Sequence, residues 1–162
     1  MENNELFQNL HTQFHEAILL EETNHDIFTL VVEASSIKSI IAFLKDHENF
    51  IFLTDLCGIH YPDSDLELGV IYHLHNLVEN KRVRIKTFVP KATPHLDSIV
   101  EIFSGANWME RETFDFFGII FVGHPKLERI LNVEFMNYHP MLKEYPLEDA
   151  TRSDKDDAFF GR

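Results

Sequence analysis

Three groups of residues in this 162-residue chain have types and spacings that could perform chemistry. His73 and His75 are separated by one residue. On a strand that spacing turns both imidazoles to one face, near enough to share a metal ion. A second group is Glu110, Arg111, Glu112 and Asp115, crowded by Trp108, Met109, Phe114, Phe116 and Phe117. Paired carboxylates do general acid–base work when burial drives their pKa values apart. The third group joins two His-Pro steps, His124-Pro125 and His139-Pro140, to Glu128, Arg129, Lys143 and Glu144.

Each group also has a plainer reading. Two histidines alone are a weak metal signal, and the hairpin described below sets Lys86 beside His75, where a cation opposes metal binding. Arg111 and Asp115 stand four apart and can pair on their own helix. A structural ion-pair network then accounts for the acidic cluster. A His-Pro step holds the histidine extended, which suits a chain laid along another surface. Nucleophilic catalysis fits poorly, because residues 110–146 contain neither Ser nor Cys and a single Thr, Thr113. The catalytic rival is a small metal-dependent hydrolase using His73, His75 and the acidic cluster.

Composition narrows the choice. Hydrophobic residues make up 44% and charged residues 25%, the balance of a folded domain. Lys and Arg number 14 against 27 acids, and the net charge of -13 repels nucleic-acid and anionic-lipid phosphates. Cys57 is the single cysteine, so an internal disulfide, a CxxC pair and a four-cysteine iron–sulfur ligand set are excluded. Neither GxGxxG nor a P-loop motif occurs. No apolar run approaches the roughly 20 residues of a membrane span. The start, MENNELFQ, lacks the pattern of a secretory or transit peptide. These features lead us to expect a soluble chain with no cofactor of its own.

The elements that must position these groups follow from periodicity. Leu6, Phe7, Leu10 and Phe14 share one side of a helix over residues 3–15. Residues 17–23 and 26–33 read as strands joined at Asn24-His25. Ile37, Ile40, Ile41 and Leu44 define a second helix that Ser35 or Ser36 can cap. Residues 50–60 form an apolar strand, and 67–78 with 82–90 a hairpin turning at Asn80-Lys81. A two-residue turn pairs Glu79 with Arg82, Val78 with Val83, Leu74 with Thr87 and His75 with Lys86. A helix starts at Pro94, carrying Leu96, Ile99, Val100 and Phe103 to a break at Gly105. Another covers 107–117 and stops at Gly118. The order α-β-β-α-β-β-β-α predicts a two-layer α+β domain with a mixed sheet over residues 1–118. Residues 119–162 are expected to be an extended segment and tail, whose Phe159 and Phe160 would want a partner surface.

The densest run of unusual residues also carries a resemblance. Trp108, Glu110-Arg111-Glu112, Asp115-Phe116-Phe117, Gly118-Ile119, Gly123-His124-Pro125, Leu127 and Arg129-Ile130-Leu131 are ordered and spaced as in the signature block of one family. From about Phe50 to Pro146 the chain resembles the thirty-kilodalton subunit family of the respiratory NADH:quinone oxidoreductase, complex I. Its later part, Tyr138-His139-Pro140-Met141-Leu142-Lys143-Glu144-Tyr145-Pro146, departs from the pattern. Leu142 replaces an arginine and Tyr138 a glycine, so an ion pair made by that arginine is lost.

The resemblance implies a cofactor-free peripheral-arm subunit that packs on the large quinone-site subunit of the complex. It would sit on the cytoplasmic side of a bacterial inner membrane and support electron transfer from NADH to quinone and proton translocation. NADH, FMN, iron–sulfur clusters and quinone are then expected in partner subunits. Trp108, Glu110, Arg111, Glu112, Asp115, Gly118, Gly123, His124, Pro125, Arg129, His139, Pro140, Lys143 and Pro146 become interface or signature residues rather than catalytic or metal-binding ones. Relatives of complex I, namely the chloroplast or cyanobacterial complex and membrane-bound hydrogenases, carry an equivalent subunit and are the alternative within the resemblance.

Overall fold

Alternation of apolar and polar side chains between residues 68 and 89 builds the centre of a five-stranded sheet. The computed structural model describes residues 3–25 and 27–145. Its elements are α1 (Asn3–Phe14), β1 (Ile18–Asn24), β2 (Ile27–Val32), α2 (Ile37–Asp46), β3 (Phe52–His60), β4 (Leu68–Asn76), β5 (Lys81–Val89), β6 (His95–Asp97), α3 (Ala106–Phe117) and β7 (Ile120–Val122). The sheet runs β1-β2-β5-β4-β3, with β2 and β5 parallel and the other neighbours antiparallel. The fold is therefore a two-layer α+β domain with a mixed sheet, as the order of elements suggests. Residues 146–162, including Pro146, Phe159 and Phe160, lie outside the described residues.

The core lies between the sheet and its helices. Ile37, Ile40, Ile41 and Leu44 of α2 are fully buried and meet Leu30, Val70, Tyr72, Leu74, Val83 and Ile85 in one apolar cluster. Burying each such side chain contributes about 1.5–3 kcal/mol. Ser36 occupies the N-cap of α2, yet its hydroxyl makes no capping bond. A single 3-10 turn, Ala34–Ser36, leads into the helix instead. On α1, Leu10 is buried, with Leu6 and Phe14 packed against the same cluster.

Two expectations are corrected. The hairpin pairs Leu74 with Val83, Tyr72 with Ile85 and His75 with Arg82, so the register is displaced by four residues from that of a two-residue turn. The cause is Asn76, whose Oδ1 accepts the N–H groups of Val78 and Glu79 at 3.1 Å each. Asn80, at φ +52°, completes a longer turn. An even displacement keeps every side chain on its face. No helix begins at Pro94. Residues His95–Asp97 form β6, parallel to β7, and turns follow up to α3. Pro94 lacks an N–H but its carbonyl accepts Ile120 N–H at 2.7 Å. Leu96, Ile99 and Phe103 are buried from this strand-and-turn path, which mimics helical spacing.

Candidate functional site

α3 delivers the charged cluster, and its residues part company. Glu110 and Asp115 are fully buried, whereas Glu112 is exposed. Glu110 accepts from Ser98 Oγ at 2.7 Å and from Ile99 N–H at 2.8 Å, so it closes the turns after β6. Burial pushes its pKa up to about 7, against those two hydrogen bonds. Asp115 serves a different segment, residues 129–132. Its Oδ2 accepts the N–H groups of Ile130, Leu131 and Asn132 at 3.1, 2.9 and 2.9 Å. Its Oδ1 takes Arg129 Nη1 at 2.6 Å and Asn132 Nδ2 at 3.1 Å. Burial opposes ionisation, but these donors outweigh it and hold the carboxyl well below the usual carboxylate range.

The expected Arg111–Asp115 pair is not formed. Asp115 instead takes Arg129, fourteen positions away. Arg111 reaches the Glu128 carbonyl through Nε at 3.2 Å, the Arg129 carbonyl through Nη2 at 3.0 Å and the Glu128 carboxylate at 3.4 Å. Its guanidinium also lies 5.4 Å from the Trp108 ring, which is 61% exposed. Arg129 spends Nη2 on the carbonyls of Met136 and Tyr138 at 2.8 and 2.9 Å. These side chains satisfy main-chain groups that have no sheet or helix to pair them.

The histidines continue the pattern. His124 Nδ1 accepts Lys126 N–H at 3.0 Å while Nε2 donates to the Asn107 carbonyl at 3.1 Å. His139 Nδ1 donates to the Asp115 carbonyl at 2.9 Å. Its ring covers Gly118, the left-handed C-cap of α3 at φ +79°, where a Cβ would stand 2.8 Å from the ring. His60, which the sequence does not single out, accepts Lys143 N–H on Nδ1 at 2.9 Å and faces Glu67 through Nε2 at 3.3 Å. Ser98 and Asn132 are equally unmarked in the sequence, since hydroxyl and amide side chains give no periodic signal. Leu142 is 7% exposed and packs within the core cluster. The rings of Tyr138 and Tyr145 lie 4.8 Å apart, tilted by 42°. Gly123 has φ +86°, and Pro125 is exposed.

His73 and His75 do share a face, but it is the face opposite α3. His73 Nε2 accepts Arg84 Nε–H at 2.7 Å, and burial followed by the Arg84 charge lowers its pKa. His75 meets Asn80 Oδ1 at 3.1 Å and neighbours Arg82 in the sheet, not Lys86. The structure therefore separates these histidines from the acidic cluster. Among the described residues no group of three or more His, Cys, Asp or Glu side chains could hold a metal ion. No described helix is long and apolar enough to cross a membrane.

Fold and site together define a two-layer α+β domain whose charged cluster organises main chain. The family described as "Respiratory-chain NADH dehydrogenase, 30 Kd subunit" matches residues 30–151. The chain belongs to that family. An NADH-quinone oxidoreductase subunit of Methylorubrum populi is 41% identical over 138 residues, covering 83% of this chain and 63% of the relative. The Mycobacterium avium protein of the same name is 39% identical over 140 residues, 83% of this chain and 59% of the relative. The chain thus spans about three-fifths of the length of such relatives. Among solved structures, the trypsin-resistant fragment of Nqo5 is 28% identical with a TM-score of 0.68, covering 78% of this chain and all of the fragment. A chain of an archaeal membrane-bound sulfane sulfur reductase shares the fold at 22% identity and a TM-score of 0.78, covering 91% of this chain and 87% of its own length.

Proposed function

We propose that this chain is a cofactor-free peripheral-arm subunit of a proton-translocating NADH:quinone oxidoreductase. In this reading it scaffolds the quinone-site subunits, above all the large one, on the cytoplasmic side of a bacterial inner membrane. NADH, FMN, iron–sulfur clusters and quinone belong to its partners. Residues 1–118 supply the compact domain, and the segment from residue 119 reaches neighbouring subunits.

One observation carries the reading. Asp115, Arg129 and Arg111 hold residues 128–138 by their main chain, so Leu131 at 67% exposure and Phe135 at 88% are presented outward from fixed backbone. A presented apolar pair on ordered backbone costs little further entropy when a partner covers it. Such a surface suits permanent assembly more than turnover.

Co-purification tests this. The tagged full chain is expected to bring down the large quinone-site subunit, and Arg111→Ala should lower the amount of assembled complex rather than its turnover per complex. Normal abundance with slow turnover, or stoichiometric flavin on the purified chain, would defeat the reading. The shared fold of the sulfane sulfur reductase chain supports a second reading, a related membrane-bound complex with another electron donor. NADH-binding subunits in the purified complex decide between the two.

A further inference from the structure

The sheet face away from the helices carries an unusual concentration of positive charge. On β5, Val83, Ile85, Thr87 and Val89 enter the core. Strand alternation therefore places Arg82, Arg84 and Lys86 on the opposite face. Three of the chain's 14 Lys and Arg residues thus line up at every second position, in a protein of net charge -13. His75 and His73 on β4 lie directly beside Arg82 and Arg84. On the other side, Thr29 and Val31 of β2 flank Arg84 and Lys86.

Among the described residues this charge is only partly answered. Lys86 Nζ is 3.0 Å from Glu22. Arg84 gives Nε to neutral His73, and its terminal nitrogens have no partner among the described residues. Arg82 is exposed and likewise has no hydrogen bond or ion pair among the described residues. A free guanidinium fork matches a carboxylate in geometry as well as charge.

We propose that this open sheet face docks a carboxylate-bearing segment of a neighbouring protein subunit, with Arg82 and Arg84 as its anchors. The inference rests on the subunit reading above. Charge complementarity selects the occupant. Asp55, opposite His73 on β3, and Glu22, opposite Thr29 on β1, interrupt the cations. A continuous polyanion or an anionic lipid surface would meet those carboxylates and the overall negative field. A protein segment of mixed character meets the arginines and also covers apolar side chains such as Ile71 and Leu20 on the same face.

The test uses the full tagged chain in its complex. Replacing His75 by a photo-cross-linking amino acid leaves both arginines intact and should link the chain to an acidic stretch of another subunit. Arg82→Glu with Arg84→Glu should lower the share of complexes containing the chain about tenfold at physiological salt. Arg82→Lys with Arg84→Lys should retain most of it. Wild-type incorporation of the charge-reversed chain overturns the proposal. So does cross-linking to a second copy, to lipid or to nucleic acid. Should the charge-reversed chain fail to fold, the cross-link on the otherwise unaltered sequence decides. A chain that joins the complex without this cross-link refutes the sheet-face proposal and spares the subunit reading. A chain that joins no respiratory complex refutes the subunit reading itself.

Discussion

Asp115→Asn isolates what the buried carboxylate does. The amide fits the same space but must turn an NH2 group toward one of two sets of donors. At the Oδ2 position it faces the N–H groups of Ile130, Leu131 and Asn132. At the Oδ1 position it faces Arg129 Nη1 and Asn132 Nδ2. Either way donors oppose donors, and the Arg129 charge, whose side chain is 9% exposed, loses its counter-ion. Breaking one partner of a buried pair costs about 3–5 kcal/mol. For a chain of this length that corresponds to a fall in Tm of roughly 6–20 °C. Urea unfolding at pH 7 measures the loss, with the exposed Glu112→Gln as a control expected within about 0.5 kcal/mol of wild type. Amide exchange should accelerate at residues 130–132. The Asp115 pKa is depressed in the fold, so its stabilisation is complete above the unfolded value of about 4 and fades as pH falls below it. The wild-type contribution should therefore be constant from pH 8 to pH 5. A loss under about 1 kcal/mol, or unchanged exchange at residues 130–132, would refute the claim that Asp115 holds the segment.

Two further outcomes follow from the same geometry. Glu110 has the opposite sign: its pKa rises from 4.5 to about 7, so the folded state binds the proton more tightly than the unfolded state. Stability should fall by about 3 kcal/mol as pH rises through that window and level off above it. Glu110→Gln keeps an acceptor for Ile99 N–H and should remove this slope; equal slopes in both proteins would show that Glu110 is not the titrating group. Gly118→Ala combines φ +79° with a Cβ 2.8 Å from the His139 ring, at a cost of about 1–3 kcal/mol. Faster exchange at Met141 N–H, which donates to the Phe116 carbonyl, should accompany it. An alanine variant with unchanged Tm and exchange would mean that His139 does not clamp this cap.

The parts of the fold legible in the sequence were those set by side-chain period. Ile37, Ile40, Ile41 and Leu44 announce the buried face of α2, and the two faces of the β4–β5 hairpin follow from alternation alone. What alternation could not convey was register, because a four-residue displacement leaves each face unchanged. The deciding residue is Asn76, which captures two turn amides. Leu96, Ile99 and Phe103 misled for a related reason. Burial every three or four residues arises from a short strand followed by turns as well as from a helix, and only the remote β7 makes β6 a strand. At the site, Gly118 was readable as a helix stop, since a positive φ favours glycine. The partner of Asp115 was not: Arg111 is near in sequence, but Arg129 arrives through the path of the later segment.

That path explains why the signature run is so rich in charge. Residues 123–145 form no helix or strand, and a segment packed on a domain without a ladder must still satisfy its amides and carbonyls. Asp115 accepts three successive N–H groups, Arg129 donates to two carbonyls near the second His-Pro step, and Arg111 donates to two more. His60 and His124 each accept a main-chain N–H. Long polar side chains here do what a neighbouring strand would otherwise do. A strand would turn successive side chains to alternate faces. Side-chain pinning frees the segment from that rule, so the successive residues Val133, Glu134 and Phe135 are all exposed while Leu142 returns to the core. Polar residues that look suited to catalysis are thereby committed to backbone shape, and the surface this shape presents is apolar.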